Sequence, residues 1–197
     1  MDDKVMQNIT TNELIAIKHW TSSSPQKFYR NIKEVAQNKY LNKEHLLCDE
    51  SIKWFESLEN MFLIYEDNTN NYKQIFRADI IENKCDKELN DKELFESFCE
   101  KFKINKSFQM DEIICSFSLL KHEALKTAKL NDKYKGQTTP IVMYILENRV
   151  TKYLYIAPFS CIEEEEEVLT LGLKNFKIID IKKFDNNYIE IYIDEII

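Results

Sequence analysis

Glu163-Glu164-Glu165-Glu166-Glu167-Val168-Leu169 sets five consecutive carboxylates directly before an apolar pair. A glutamate run is ordinarily a solvated helix face or an acidic tail. The flanks argue against that here. Tyr153-Leu154-Tyr155-Ile156 precedes the run and Phe176-Lys177-Ile178-Ile179-Asp180-Ile181 follows it, both with the aromatic and β-branched composition of strands. The run is therefore expected on a loop that enters a strand. Neighbouring side chains of a strand point to opposite faces. With strand geometry beginning near Glu165, Glu165 and Glu167 share one face and Glu166 points away. Two carboxylates converging on one cleft suit chemistry at a sugar centre or at a metal.

Outward from this run the chain divides by character. Residues up to about 66 read as helices. Thr10 or Thr11 can cap the first, which carries Leu14, Ile15, Ala16 and Ile17. Thr21-Ser22-Ser23-Ser24-Pro25 breaks the chain before a second helix with Phe28, Ile32, Val35 and Ala36 on one face. A third is expected over 50–65, with Ile52, Phe55, Leu58 and Phe62 apolar, and 67–71 form a loop. After residue 72 strands dominate: 74–78, 112–118, 140–146, 153–157, 165–169, 176–181 and 188–193. Helices interrupt them around Leu94, Phe95, Phe98 and Phe102, and over 119–129. Asp185-Asn186-Asn187 is a hairpin turn of suitable residue types. No internal repeat is visible. Helices first and a mostly antiparallel β half afterwards define an α+β protein, expected as one domain over 1–197 with a helical part to about 66 and a β-rich core from about 72.

Composition narrows the function classes. The 197 residues are 44% hydrophobic and can bury a core. A net charge of −7 argues against a duplex nucleic-acid binder, which shows a concentrated basic surface. With Gly136 and Gly172 the only glycines, neither G-x-G-x-x-G nor a P-loop can be written. Any nucleotide must be held by another device. The cysteines (Cys48, Cys85, Cys99, Cys115, Cys161) contain no C-x-x-C pair, and His19, His45 and His122 lie far apart in sequence, so no metal site is expected. No apolar run approaches the roughly 18 residues that span a bilayer. Met1-Asp2-Asp3-Lys4 lacks the plan of a signal peptide, so a soluble protein starting in the cytoplasm is expected.

Three short pieces stand out in order. Phe76-Arg77 follows Ile75 in a short strand. Taken alone, such an arginine is a surface charge. Ser116-Phe117-Ser118 follows Ile113-Ile114-Cys115, and taken alone is a strand end with a helix cap. Glu165-Glu166-Glu167-Val168-Leu169 completes the set. This ordered set resembles the mono-ADP-ribosyltransferases of the arginine-serine-glutamate type, a family of bacterial toxins, vertebrate arginine-specific ectoenzymes and phage-encoded enzymes. In that pattern an aromatic-Arg pair ends the first core strand, a Ser-Thr-Ser-like strand follows, and Glu-x-Glu leads into Val-Leu. Thr11 to Leu14, His19-Trp20-Thr21-Ser22-Ser23 and Tyr29-Arg30-Asn31-Ile32 also resemble the family's leading helix and its break. The likeness runs from about residue 10 to the end of the sequence. It departs at Phe117, where the family has Thr, at Ser22, where it has Gly, and at Ile162, where its acceptor loop carries an aromatic residue.

The resemblance implies a two-sheet β-sandwich core and a reaction. NAD, as substrate, would lose nicotinamide and pass ADP-ribose to a target protein. Glu167 would hold a ribose hydroxyl and stabilise the oxocarbenium-like transition state, and Glu165 would orient and help deprotonate the acceptor. Glu rather than Gln at 165 goes, in the family, with arginine as acceptor. Arg77 would grip the NAD phosphates, Ser116 would sit near the nicotinamide ribose and position the Glu pair, and Ser118 would support the strand and cap the next helix. Lys129, Lys133 or Lys135 would meet the pyrophosphate or form a solvated face. The family also implies a toxin, a phage enzyme, or an effector delivered to a host cell by a non-classical route. Two alternatives stay open: a NAD glycohydrolase using the same residues, and a non-catalytic binding module on the same fold.

Overall fold

A computed structural model describes residues 8–22, 28–67, 69, 71–82, 89–130, 139–184 and 187–197. The chain packs as two compact units, each assembled from separate stretches.

The first unit takes in Met1–Tyr72, Met110–Ser116 and Thr151–Lys174. Its helices are α1 (Thr11–Thr21), α2 (Phe28–Leu41) and α3 (Asp49–Ile64). A capping box starts α1: the Thr10 hydroxyl accepts from the Glu13 N–H and the Glu13 carboxylate accepts from the Thr10 N–H. Glu13 is buried, and also accepts from Asn60 and from the Tyr65 hydroxyl, so one carboxylate caps α1 and ties it to α3 and its exit. The helical spacing of apolar residues closes one core. Ala16, Ile17 and Trp20 of α1 meet Ile32, Val35 and Ala36 of α2 and Phe55, Leu58 and Met61 of α3. Ile113, Ile114, Leu154, Ile156 and Leu169 complete it. Strands β5 (Tyr153–Tyr155) and β6 (Glu167–Leu171) pair antiparallel, with Tyr155 opposite Val168. The chain between them runs through two 3-10 turns, Ala157–Phe159 and Glu163–Glu165. At Gly172 φ is +91°, and an added Cβ would meet nothing within 4 Å. The backbone angle, not lack of space, calls for glycine there.

The second unit takes in Lys73–Gln109, Phe117–Val150 and Asn175–Ile197. It is built on β1 (Ile75–Ile80), β2 (Ser107–Met110), β4 (Ile141–Asn148), β7 (Lys174–Phe184) and β8 (Tyr188–Ile196), with α4 (Asp91–Lys101) and α5 (Lys121–Leu130). Strand β3 (Ile114–Ser118) begins in the first unit and ends in the second. β1 runs antiparallel to β4, with Arg77 opposite Tyr144, while β4 and β8 are parallel. Val142 to Leu146 are buried in unbroken succession, as in a strand covered on both faces. Met143 and Ile145 pack with Ala124 of α5, and Tyr144 lies against Phe102 and Phe108. On β8 the buried Glu190 accepts from the hydroxyls of Tyr188 and Tyr192 and pairs with Lys121.

The helices and most strands lie where the sequence places them, and the class is α+β. Three expectations need correction. Hydrogen bonds join the eight strands into one mixed sheet, in the order β2-β7-β8-β4-β1-β3-β6-β5, rather than the two sheets of a sandwich. The ladder is continuous because β1 pairs with β3 on one edge and β4 on the other. β2 is an additional strand, and its alternation is too short to register as one. β6 starts at Glu167, not at Glu165. The expected turn at 185–187 lies partly outside the described residues. Among the described residues no helix is long and apolar enough to cross a membrane.

Candidate functional site

The first unit brings Trp20, Ser116 and Glu167 together. Glu167 opens β6 and is 6% exposed. Its Oε1 accepts two hydrogen bonds, from the Ser116 hydroxyl at 2.5 Å and from the Trp20 indole N–H at 2.9 Å. Its Oε2 is buried and has no hydrogen-bond partner among the described residues. Burial pushes the carboxyl above its ordinary pKa; the Ser116 and Trp20 hydrogen bonds pull it down, nearby Glu165 pushes it further up, and Lys33 pulls it down. A native protein seldom leaves a buried carboxylate oxygen unpaired, so this one invites a role.

The local chain explains the placement. Cys161 donates its N–H to the Thr21 hydroxyl at 2.9 Å, which anchors the loop before the Glu run to the end of α1. Glu163 to Glu165 then form a single 3-10 turn, and Glu166 takes a left-handed conformation with φ 50° and ψ 46°. That residue reverses the backbone, and β6 begins one position later. Glu165 thus sits at the end of a helical turn rather than on the strand face of Glu167. The charge of Glu165 still acts on Glu167, raising its pKa, without strand alternation placing the two on one face. Glu166 accepts from the Tyr155 hydroxyl at 2.6 Å, and burial with this bond raises the Tyr155 pKa. Ion pairing places Lys33 against Glu112 at 2.8 Å, with its ammonium 5.7 Å from the centre of the Trp20 ring.

The second unit holds the other two expected residues. Arg77 lies on β1, where its Nε and Nη2 donate to the two carboxylate oxygens of Asp79 at 2.9 and 3.2 Å. Arg77 and Asp79 are two residues apart, so they share a strand face. Ser118 ends β3; its hydroxyl accepts from the Leu120 N–H at 3.0 Å and donates to the Leu120 carbonyl at 3.1 Å. It therefore shapes the entry to α5. Phe117 is buried. Lys129 is exposed on α5, and Lys133 and Lys135 lie outside the described residues. Among the described residues no cluster of His, Cys, Asp and Glu could hold a metal ion. Trp20 is the site residue that motif reading misses. A buried indole calls for an acceptor, but nothing in the sequence near residue 20 names Glu167 as that acceptor.

No family model matches this sequence, and no curated protein does. Solved structures do. The chain is similar to Vis toxin, an ADP-ribosyltransferase from Vibrio splendidus, in its complex with agmatine. The TM-score is 0.66 at 15% identity, covering 96% of this chain and 76% of that one. The Clostridium limosum C3 exoenzyme matches with a TM-score of 0.62 at 20% identity, covering 96% and 87%. The ADP-ribosyltransferase HopU1 of Pseudomonas syringae matches at 0.57 with 12% identity, covering 93% and 76%. The fold is that of the mono-ADP-ribosyltransferases.

Proposed function

We propose that this protein is a NAD-dependent mono-ADP-ribosyltransferase whose acceptor is an arginine of a target protein. The observation that carries this reading is the Glu167 carboxylate. It is buried, with one oxygen fixed by two donors and the other without a partner among the described residues, at the head of a strand in an ADP-ribosyltransferase fold.

The chemistry follows from charge. The bond between the nicotinamide nitrogen and the ribose carbon breaks, and its electron pair leaves with neutral nicotinamide. Positive charge develops on the sugar. Glu167 Oε2 accepts a hydrogen bond from a ribose hydroxyl, and its negative charge faces the developing cation. An anion held there in advance lowers the barrier more than it stabilises the ground state. A guanidinium nitrogen then attacks the sugar carbon and loses a proton, for which Glu165 is the acceptor. Arg77 grips the NAD phosphates; its guanidinium already makes a two-point contact with Asp79, and a pyrophosphate would share or replace that acceptor. Ser116 positions Glu167, and Ser118 shapes the strand end. Agmatine, present in the Vis complex, carries a guanidinium, which is the acceptor chemistry proposed here.

The test is incubation with labelled NAD and a cell lysate. The intact chain is expected to label protein through a linkage cleaved by neutral hydroxylamine. Glu167→Gln should lower labelling by about 100-fold or more. Equal labelling by both rejects the role of Glu167. Glu165→Gln should reduce transfer to protein far more than NAD hydrolysis, and parallel loss of both contradicts its role. Free ADP-ribose without labelled protein would instead assign a NAD glycohydrolase.

A further inference from the structure

We infer that Trp20 is a positioning residue for Glu167: its indole N–H pins Oε1 and thereby presents Oε2 to the sugar. The inference builds on the transferase reading. The terminal torsion of a glutamate is broad and nearly two-fold, so a carboxylate held at one point can swing or exchange its oxygens. The Ser116 hydroxyl alone supplies a donor that itself rotates. An indole N–H has no such freedom, because the ring plane sets its direction. Both donors converge on Oε1, at 2.5 and 2.9 Å. Any rotation of the carboxylate short of a full exchange of its two equivalent oxygens would break both bonds and leave both donors unmet in a buried place.

Trp20 is itself held. It lies in the last turn of α1, is 7% exposed, and packs in the core of the first unit. The next residue, Thr21, donates back to the Ile17 carbonyl and receives the Cys161 N–H, so the same helix end also anchors the loop leading to Glu167. The Lys33 ammonium lies over the indole at 5.7 Å, within cation–π range, and Glu112 fixes it at 2.8 Å. A cation on the ring face draws electron density and makes the N–H a better donor. Among the described residues, the charged groups that bear on Glu167 are Glu165, which opposes its ionisation, and Lys33, which favours it.

The test replaces Trp20 with Phe and, in parallel, with the benzothiophene analogue of tryptophan, which keeps ring size and packing but has sulfur in place of N–H. Loss of a hydrogen bond to a charged group should lower kcat about tenfold. KM for NAD should stay within about twofold, as expected when a contact matters mainly in the transition state. The acid limb of the pH–rate profile should move to higher pH in both variants, since removing a donor to the ionised form favours the protonated one. Unchanged kcat and an unmoved acid limb in the sulfur analogue overturn the inference. A second measurement needs no turnover. Among the two tryptophan indole N–H resonances, that of Trp20 should titrate together with the Glu167 carboxyl carbon and lose that titration in Glu167→Gln. An indole signal indifferent to Glu167 overturns the inference as well. An intact chain that consumes no NAD rejects the transferase reading, while the indole titration still decides what holds Glu167.

Discussion

Glu167 sets function against stability within one side chain. Burial raises its pKa, so the folded protein holds that proton more tightly than the unfolded chain. A group with a raised folded pKa contributes its stability below the unfolded pKa and loses it as pH rises through the folded value. At neutral pH the ionised carboxylate proposed to do the chemistry is therefore a destabilising feature. Glu167→Gln should melt at a higher temperature than the intact protein near pH 7, because an amide oxygen still accepts from Ser116 and Trp20 at no charge cost. The difference should shrink as pH falls, where the intact carboxyl takes up its proton. Thermal scans across this range check it; a lower melting temperature for the variant at neutral pH would contradict the account. At this scale the sequence was partly readable. Ser116 and Glu167 emerged from the ordered set of short motifs, and they meet. Trp20 did not, because a partner 147 positions away leaves no local trace.

The strands show why the acidic run resisted a register. Along 188–193, and along 176–181 apart from the register shift after Ile178, side chains alternate in character, and both stretches lie within the paired β7 and β8. Five identical residues carry no such phase. What sets the start of β6 is the backbone of Glu166, left-handed at φ 50°. A non-glycine residue pays a steric penalty there of about 1–2 kcal/mol. Asn tolerates this conformation and β-branched residues do not. Glu166→Asn should therefore exceed Glu166→Val in stability by about 1–2 kcal/mol. Because the turn delivers Glu167, the valine variant should also lose more NAD turnover. Denaturant midpoints for the two variants check the first part; equal midpoints would mean that the turn relaxes without strain.

Strand composition reveals that a segment pairs but not with what. The parallel partnership of β4 with β8 joins segments separated by β5, β6 and β7, and nothing in either strand announces it. The two sheets that the resemblance implied are one mixed sheet here, while the α+β class followed from element order alone. For the chain as a whole, the proposal predicts linkage between NAD and folding. A ligand that binds only the folded state at about 100 times its dissociation constant stabilises it by about 2.7 kcal/mol, which in a chain of this size raises the melting temperature by roughly 5–10 °C. Glu167→Gln should keep this shift, since its lost contact matters mainly in the transition state. Arg77→Ala should lose most of it, because its charge-assisted contacts act on the bound phosphates from the start. Each variant is compared with its own NAD-free melting temperature, since Arg77→Ala also strips Asp79 of its partner. An equal shift in Arg77→Ala removes that residue from phosphate binding, and no shift in the intact protein removes NAD as the substrate.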